Sequence, residues 1–130
     1  MEKTTIGGSL NQASAENMLP FALGTQLDRL IFLSGMVSKD LKTGRYIGGT
    51  IEEETAQVLE NIKVLLEGAG SSMDKILRAT VFLADIGDFE RMNRVYKRYF
   101  PTQTALAARS TVQAKLVGAF QIEIEVTAFV

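Results

Sequence analysis

Two hydrophobic rhythms run along this chain, one of period two and one of period three to four. Lys3 to Ile6 is short and β-prone, and Gly7-Gly8 ends it. Asn11 to Gln26 mixes polar and apolar residues around Pro20 and Gly24 and reads as an irregular connection. Arg29 to Ser34 is a continuous apolar run, the pattern of a strand inside a sheet, and Gly35 stops it. Lys39 to Gly49 is rich in turn formers, with a tight turn at Lys42-Thr43-Gly44 and a very short strand over Arg45-Tyr46-Ile47. The rhythm then changes. Thr50-Ile51-Glu52-Glu53 fits a capping box, and Ile51, Val58, Leu59, Ile62, Leu65, Leu66 and Ala69 repeat at helical spacing. Gly68 and Gly70 stand where helix-ending glycines belong. Lys75 to Leu83 is a strand rich in branched and aromatic residues. Asp88 begins a second helix whose buried side is Phe89, Met92, Val95, Tyr96, Tyr99 and Phe100, and Pro101 ends it. Ala105 to Lys115 and Gln121 to Val130 are two further strands, and Gly118 between them predicts an antiparallel hairpin. In the last strand Ile122, Ile124, Val126, Ala128 and Val130 share one face, and Gln121, Glu123, Glu125, Thr127 and Phe129 the other.

Strands joined through helices lie parallel by right-handed crossovers. Two helices cover one face of such a sheet. The other keeps apolar side chains, Ile31 or Leu33 among them, and another subunit is the usual cover. The expectation is one domain over residues 1–130 that forms a homo-oligomer. Composition removes several chemistries. With no Cys and no His, disulfides, zinc sites built on those residues and Cys or Ser–His nucleophiles are excluded. A net charge of -1 disfavours nucleic acid and anionic membranes as partners. No apolar run is long enough to span a bilayer, and the first dozen residues lack the apolar region of a signal peptide, so a cytoplasmic location is expected.

The chemistry that remains concentrates at Ala108-Arg109-Ser110 and Ile122-Glu123-Ile124-Glu125. Arg109 interrupts an apolar strand with a permanent charge, and burying that charge is costly unless an anion meets it. That anion is either a protein carboxylate, Glu123 or Glu125 on the neighbouring strand, or the carboxylate of a small ligand. The pattern alone leaves both readings open.

Taken in order, Pro20-Phe21, Leu33-Ser34-Gly35, the helix residues Glu53, Thr55, Gln57, Val58, Leu59, Asn61 and Ile62, then Leu66-Glu67-Gly68-Ala69-Gly70, Thr80-Val81-Phe82-Leu83, Asp88-Phe89, Asn93, Val95-Tyr96, Phe100, Ala108-Arg109-Ser110 and Ile122-Glu123-Ile124-Glu125 resemble the RidA/YjgF family of enamine/imine deaminases, also labelled L-PSP endoribonucleases. The resemblance implies an α+β, chorismate-mutase-like fold: a mixed sheet of about six strands, two helices on one face, and a homotrimer whose sheets line a central barrel. It implies clefts between subunits in which Arg109 binds the substrate carboxylate, Glu123 holds or activates water, and Ser34, Gly35, Phe21, Asn93 and Tyr96 line the walls. It implies 2-aminoacrylate and related imines, released by pyridoxal-phosphate dehydratases, as substrates, and 2-keto acids and ammonia as products. No cofactor and no metal is needed, since such imines already hydrolyse in water and positioning with modest acid–base help suffices.

Departures from the family pattern also carry expectations. Phe21 stands where the family often has Tyr, and Met36 follows Ser34-Gly35 where Gln is usual, which predicts a more apolar substrate pocket. The same losses motivate a second reading, a non-catalytic trimer that binds small carboxylates as a sensor or chaperone-like partner. The endoribonuclease reading rests on the family label alone.

Overall fold

A computed structural model describes residues 1–11 and 19–130. Part of the connection expected between Asn11 and Gln26 lies outside these residues. The chain forms β1 (Thr4–Ile6), β2 (Gly24–Leu27), β3 (Leu30–Leu33), β4 (Met36–Val37), α1 (Ile51–Gly68), β5 (Ile76–Leu83), α2 (Phe89–Tyr96), β6 (Ala108–Gln113) and β7 (Ile122–Phe129). The sheet order is β1-β2-β3-β7-β5-β6, with β4 also paired to β7. β3 and β4 are successive pieces of one lane along β7, broken at Ser34-Gly35. Seven strands thus fill six lanes, in line with the expected sheet of about six.

α1 forms because its first turn satisfies itself. The Thr50 hydroxyl accepts from Glu53 N at 3.1 Å, and the Glu53 carboxylate accepts from Thr50 N at 3.0 Å. Its stripe of Ile51, Val58, Leu59, Ile62, Leu65 and Leu66 is buried on the sheet. α2 starts after Asp88 as expected but ends at Tyr96, and a 3-10 turn carries the chain to Tyr99. Met92, Val95, Tyr96 and Phe100 are buried, whereas Phe89 stays partly exposed.

Three expectations are corrected. The first is the hairpin between the last two strands. β6 pairs parallel with β5, the α2 crossover joining the two, while β7 pairs antiparallel with the opposite edge of β5. Gly118 does turn the chain, at φ +60, but a turn signal does not say which lane receives the returning strand. The second is β2, which lies within the stretch read as irregular. Asp28 closes its hairpin to β3 at φ 54, a left-handed position that no glycine marks. The third is the parity of β3. Ile31 and Leu33 face the helices and are buried, while Leu30 and Phe32 lie on the uncovered face. Both parities of this strand are apolar, so the pattern could not choose between them.

The uncovered face exists as expected. Leu27, Leu30, Phe32 and Val112 are each more than 40% exposed on it, and Phe82 and Phe129 join them by register. No helix among the described residues is long and apolar enough to cross a membrane.

Candidate active site

The sheet sorts the expected site residues into two clusters. Arg109 pairs with Ala79, which pairs with Val126, and both neighbours are buried on the helix-covered side. Its guanidinium therefore rises toward α2. The carbon of the guanidinium lies 4.7 Å from the Tyr96 ring centroid and 5.6 Å from that of Phe89. The ring faces attract the cation, and a guanidinium fork suits a bidentate acid. Asn93 shares this side of α2, one turn from both aromatics. Among the described residues no carboxylate ion-pairs with Arg109; the two ion pairs present both use Arg91. Among the described residues the buried Tyr96 hydroxyl has no hydrogen-bond partner. Burial pushes its pKa up, and the neighbouring Arg109 charge pulls the other way.

The second cluster lies on the open face. Glu123 on β7 sits between Val37 of β4 and Phe82 of β5. Gly35 is packed so closely against it that a Cβ there would collide with the carboxylate. The break in the β3–β4 lane thus admits the acid. The Ser34 hydroxyl donates to Ala22 O at 2.6 Å and Ser34 N to Leu23 O at 2.9 Å, tying in the segment that carries the half-exposed Phe21. Burial raises the Glu123 carboxyl above its ordinary pKa, and the negative charge of Glu125 adds to the effect.

Glu54, which the sequence did not single out, anchors the start of this strand. It is fully buried on α1 and accepts from Gln121 N at 3.1 Å, from the Gln121 side chain and from the Tyr46 hydroxyl at 2.7 Å. One buried acid so fixes the turn-rich loop, the helix and the residue two before Glu123. Phe89 was also missed as a site residue, because its helical spacing reads as core; its place one turn before Asn93 is the signal that was available. Met36 is corrected in the other direction. It pairs with Ile124 and is 1% exposed in the helix-side core, so it lines no cleft beside Glu123.

Arg109 and Glu123 do not meet within one chain. They point to opposite faces of the sheet, two lanes and three residues apart, roughly 14 Å by regular strand spacings. The protein pairings of Arg109 with Glu123 or Glu125 left open by the sequence are therefore absent. Three cavities lie elsewhere, beside the N-terminal strand, under the Ala114–Gln121 loop and on the open face, and neither Arg109 nor Glu123 lines any of them.

Residues 12–130 match the family model described as Endoribonuclease L-PSP. The fold superposes on the conserved Rid protein family member YyfA of Yersinia pestis with a TM-score of 0.87, at 34% identity over 99% of this chain and all of that one. This chain belongs to the Rid/YjgF family. E. coli TdcF with bound serine matches at 33% identity and TM-score 0.78, over 85% of this chain and 88% of that one. The 2-iminobutanoate/2-iminopropanoate deaminase of Mus musculus is 38% identical over 110 residues, covering 84% of this Rid/YjgF chain and 80% of the mouse protein.

Proposed function

We propose that this Rid/YjgF protein is a cofactor-free deaminase that hydrolyses small carboxylate-bearing imines and enamines to 2-keto acids and ammonia. The observation that carries the reading is the Arg109 guanidinium, stacked on Tyr96 and Phe89 with no carboxylate of the described chain paired to it. A small acid completes it. The deaminase named in mouse and the serine bound to TdcF, an amino acid with its own carboxylate, support the same ligand chemistry.

The reactive unit is a homotrimer. Because Arg109 and Glu123 face opposite sides of one sheet, a centre that uses both takes Arg109, Asn93 and Tyr96 from one copy and Glu123, Ser34, Gly35 and Phe21 from the next. The substrate carboxylate sits on the guanidinium fork by charge-assisted bonds. An enamine takes a proton at carbon to become the imine. Glu123, ionised, accepts a proton from the attacking water. As the carbon–oxygen bond forms, the nitrogen takes a proton from solvent to give a carbinolamine. Glu123 then hands its proton to that nitrogen, the carbon–nitrogen bond breaks and ammonia leaves, and the hydroxyl loses its proton to solvent to become the keto oxygen, which leaves Glu123 ionised again. The half-buried carboxylate with a raised pKa suits this exchange, since a base works best when its pKa approaches the working pH.

Imines generated in place by a dehydratase acting on serine or threonine test the reading. Ammonia and keto-acid release should exceed solvent hydrolysis, and Arg109→Ala should return the rate to the solvent level. Equal rates for the wild type and Arg109→Ala would overturn it.

A non-catalytic carboxylate-binding trimer is the second reading, favoured by one observation. The Ser34 hydroxyl already donates to Ala22 O, and Phe21 has no hydroxyl, which leaves Glu123 as the titratable group of its half of the cleft. Calorimetric binding of a 2-keto acid without turnover would select it. The ribonuclease named by the family model fits least, given the absence of His and the net charge of -1.

A further inference from the structure

Besides Glu123, which the proposed centre uses, the open sheet face holds two opposite charges in an apolar setting. Arg78 on β5 pairs with Thr127, and Thr80 pairs with Glu125 on β7, so the two charges are diagonal neighbours on that face. With Thr80, Thr127 and Phe32 they line a shallow cavity of about 200 Å³. Neither forms an ion pair among the described residues. Around them lie Leu30 at 42%, Phe32 at 44% and Val112 at 44% exposure.

An apolar face of this breadth calls for a cover. A purely apolar cover would strand both charges out of water, which is unfavourable unless each gains a counter-ion. The occupant must therefore bring apolar surface, an anion for Arg78 and a cation for Glu125. The same face of a second copy brings all three.

We propose that Arg78 of one copy pairs with Glu125 of the next, and that this ion pair sets the register in which copies close into a ring. It rests on the proposed function only in requiring more than one copy. Each chain spends its arginine on one neighbour and its glutamate on the other, which is the bookkeeping of a closed head-to-tail ring. The rival arrangement is a pair within one chain, formed when the face is covered.

Charge reversal separates the two. Arg78→Glu and Glu125→Arg are each expected to weaken assembly about 100-fold by sedimentation, because like charges then meet across the interface. Refolding the two variants together should give an oligomer tighter than either variant forms alone, though weaker than wild type, since a mixed trimer joins opposite charges at two of its three contacts. A mixture that assembles no better than either variant alone assigns the pair to a single chain and overturns the proposal. So does a wild-type protein that sediments as a monomer, or single variants that assemble normally. If circular dichroism shows a reversal unfolded, Arg78→Met and Glu125→Gln serve instead. Each alone should weaken assembly and the pair combined should recover it; no recovery overturns the proposal. A change in assembly is read without turnover, so an active protein lost to Arg109→Ala but unmoved by these variants keeps the deaminase and discards the ion pair.

Discussion

Among the described residues, Glu123 is held by packing rather than by hydrogen bonds. Gly35 presses on its carboxylate, and burial with the adjacent Glu125 charge raises its pKa. A raised carboxylate pKa favours the neutral acid in the fold. Its contribution to stability is full below the ordinary carboxylate range and is lost as pH rises through the raised value. Under the proposed function catalysis runs the other way, because Glu123 as the base must be ionised. The acid limb of kcat/KM should therefore lie above the ordinary carboxylate range. Glu123→Gln should abolish that limb and lower kcat by about 10²- to 10³-fold, with KM little changed because Arg109 is intact. A pH–rate profile checks both, and a limb that survives in Glu123→Gln assigns the base elsewhere. The same substitution should raise stability slightly at neutral pH, so lost activity is not explained by unfolding.

At the scale of elements, α1 rests on local chemistry that a single atom can remove. Thr50→Ala deletes the hydroxyl that accepts from Glu53 N and should cost about 1 kcal/mol, seen as a lower urea midpoint with an unchanged slope. This locality is why both helices were legible from sequence. In α1 the cap, stripe and terminal glycines all lie within one element and agree, and in α2 the apolar stripe does the same. Strand pairing was not legible to the same degree. β2 is short and polar, and its turn uses Asp28 in a glycine-like conformation. The partner of β6 depends on α2 packing back over the sheet, which no residue between Ala114 and Gln121 encodes. The parity of β3 was ambiguous because apolar residues point both ways. Arg109 and Glu123 were visible as charges out of place in apolar strands. Their separation was not, since it follows from β6 and β7 lying on opposite sides of β5 with opposite side-chain parity. Glu54 was hidden among three consecutive glutamates, two of them on the solvent side of the helix.

For the whole molecule, the two-copy centre predicts complementation. Arg109→Ala and Glu123→Gln homomers should each be inactive. When they are dissociated and reassembled together in equal amounts, random assortment makes roughly a quarter of the interfaces intact on both sides. Recovery of about that fraction of wild-type turnover checks the arrangement, and continued inactivity contradicts it. Placing the guanidinium on one side of the sheet and the acid on the other also makes a solitary polypeptide chemically silent under the proposed arrangement. Under that arrangement a freshly made chain hydrolyses nothing until it meets its kin. Output per molecule would then climb with abundance, so modest changes in expression would translate into steeper changes in the proposed imine hydrolysis.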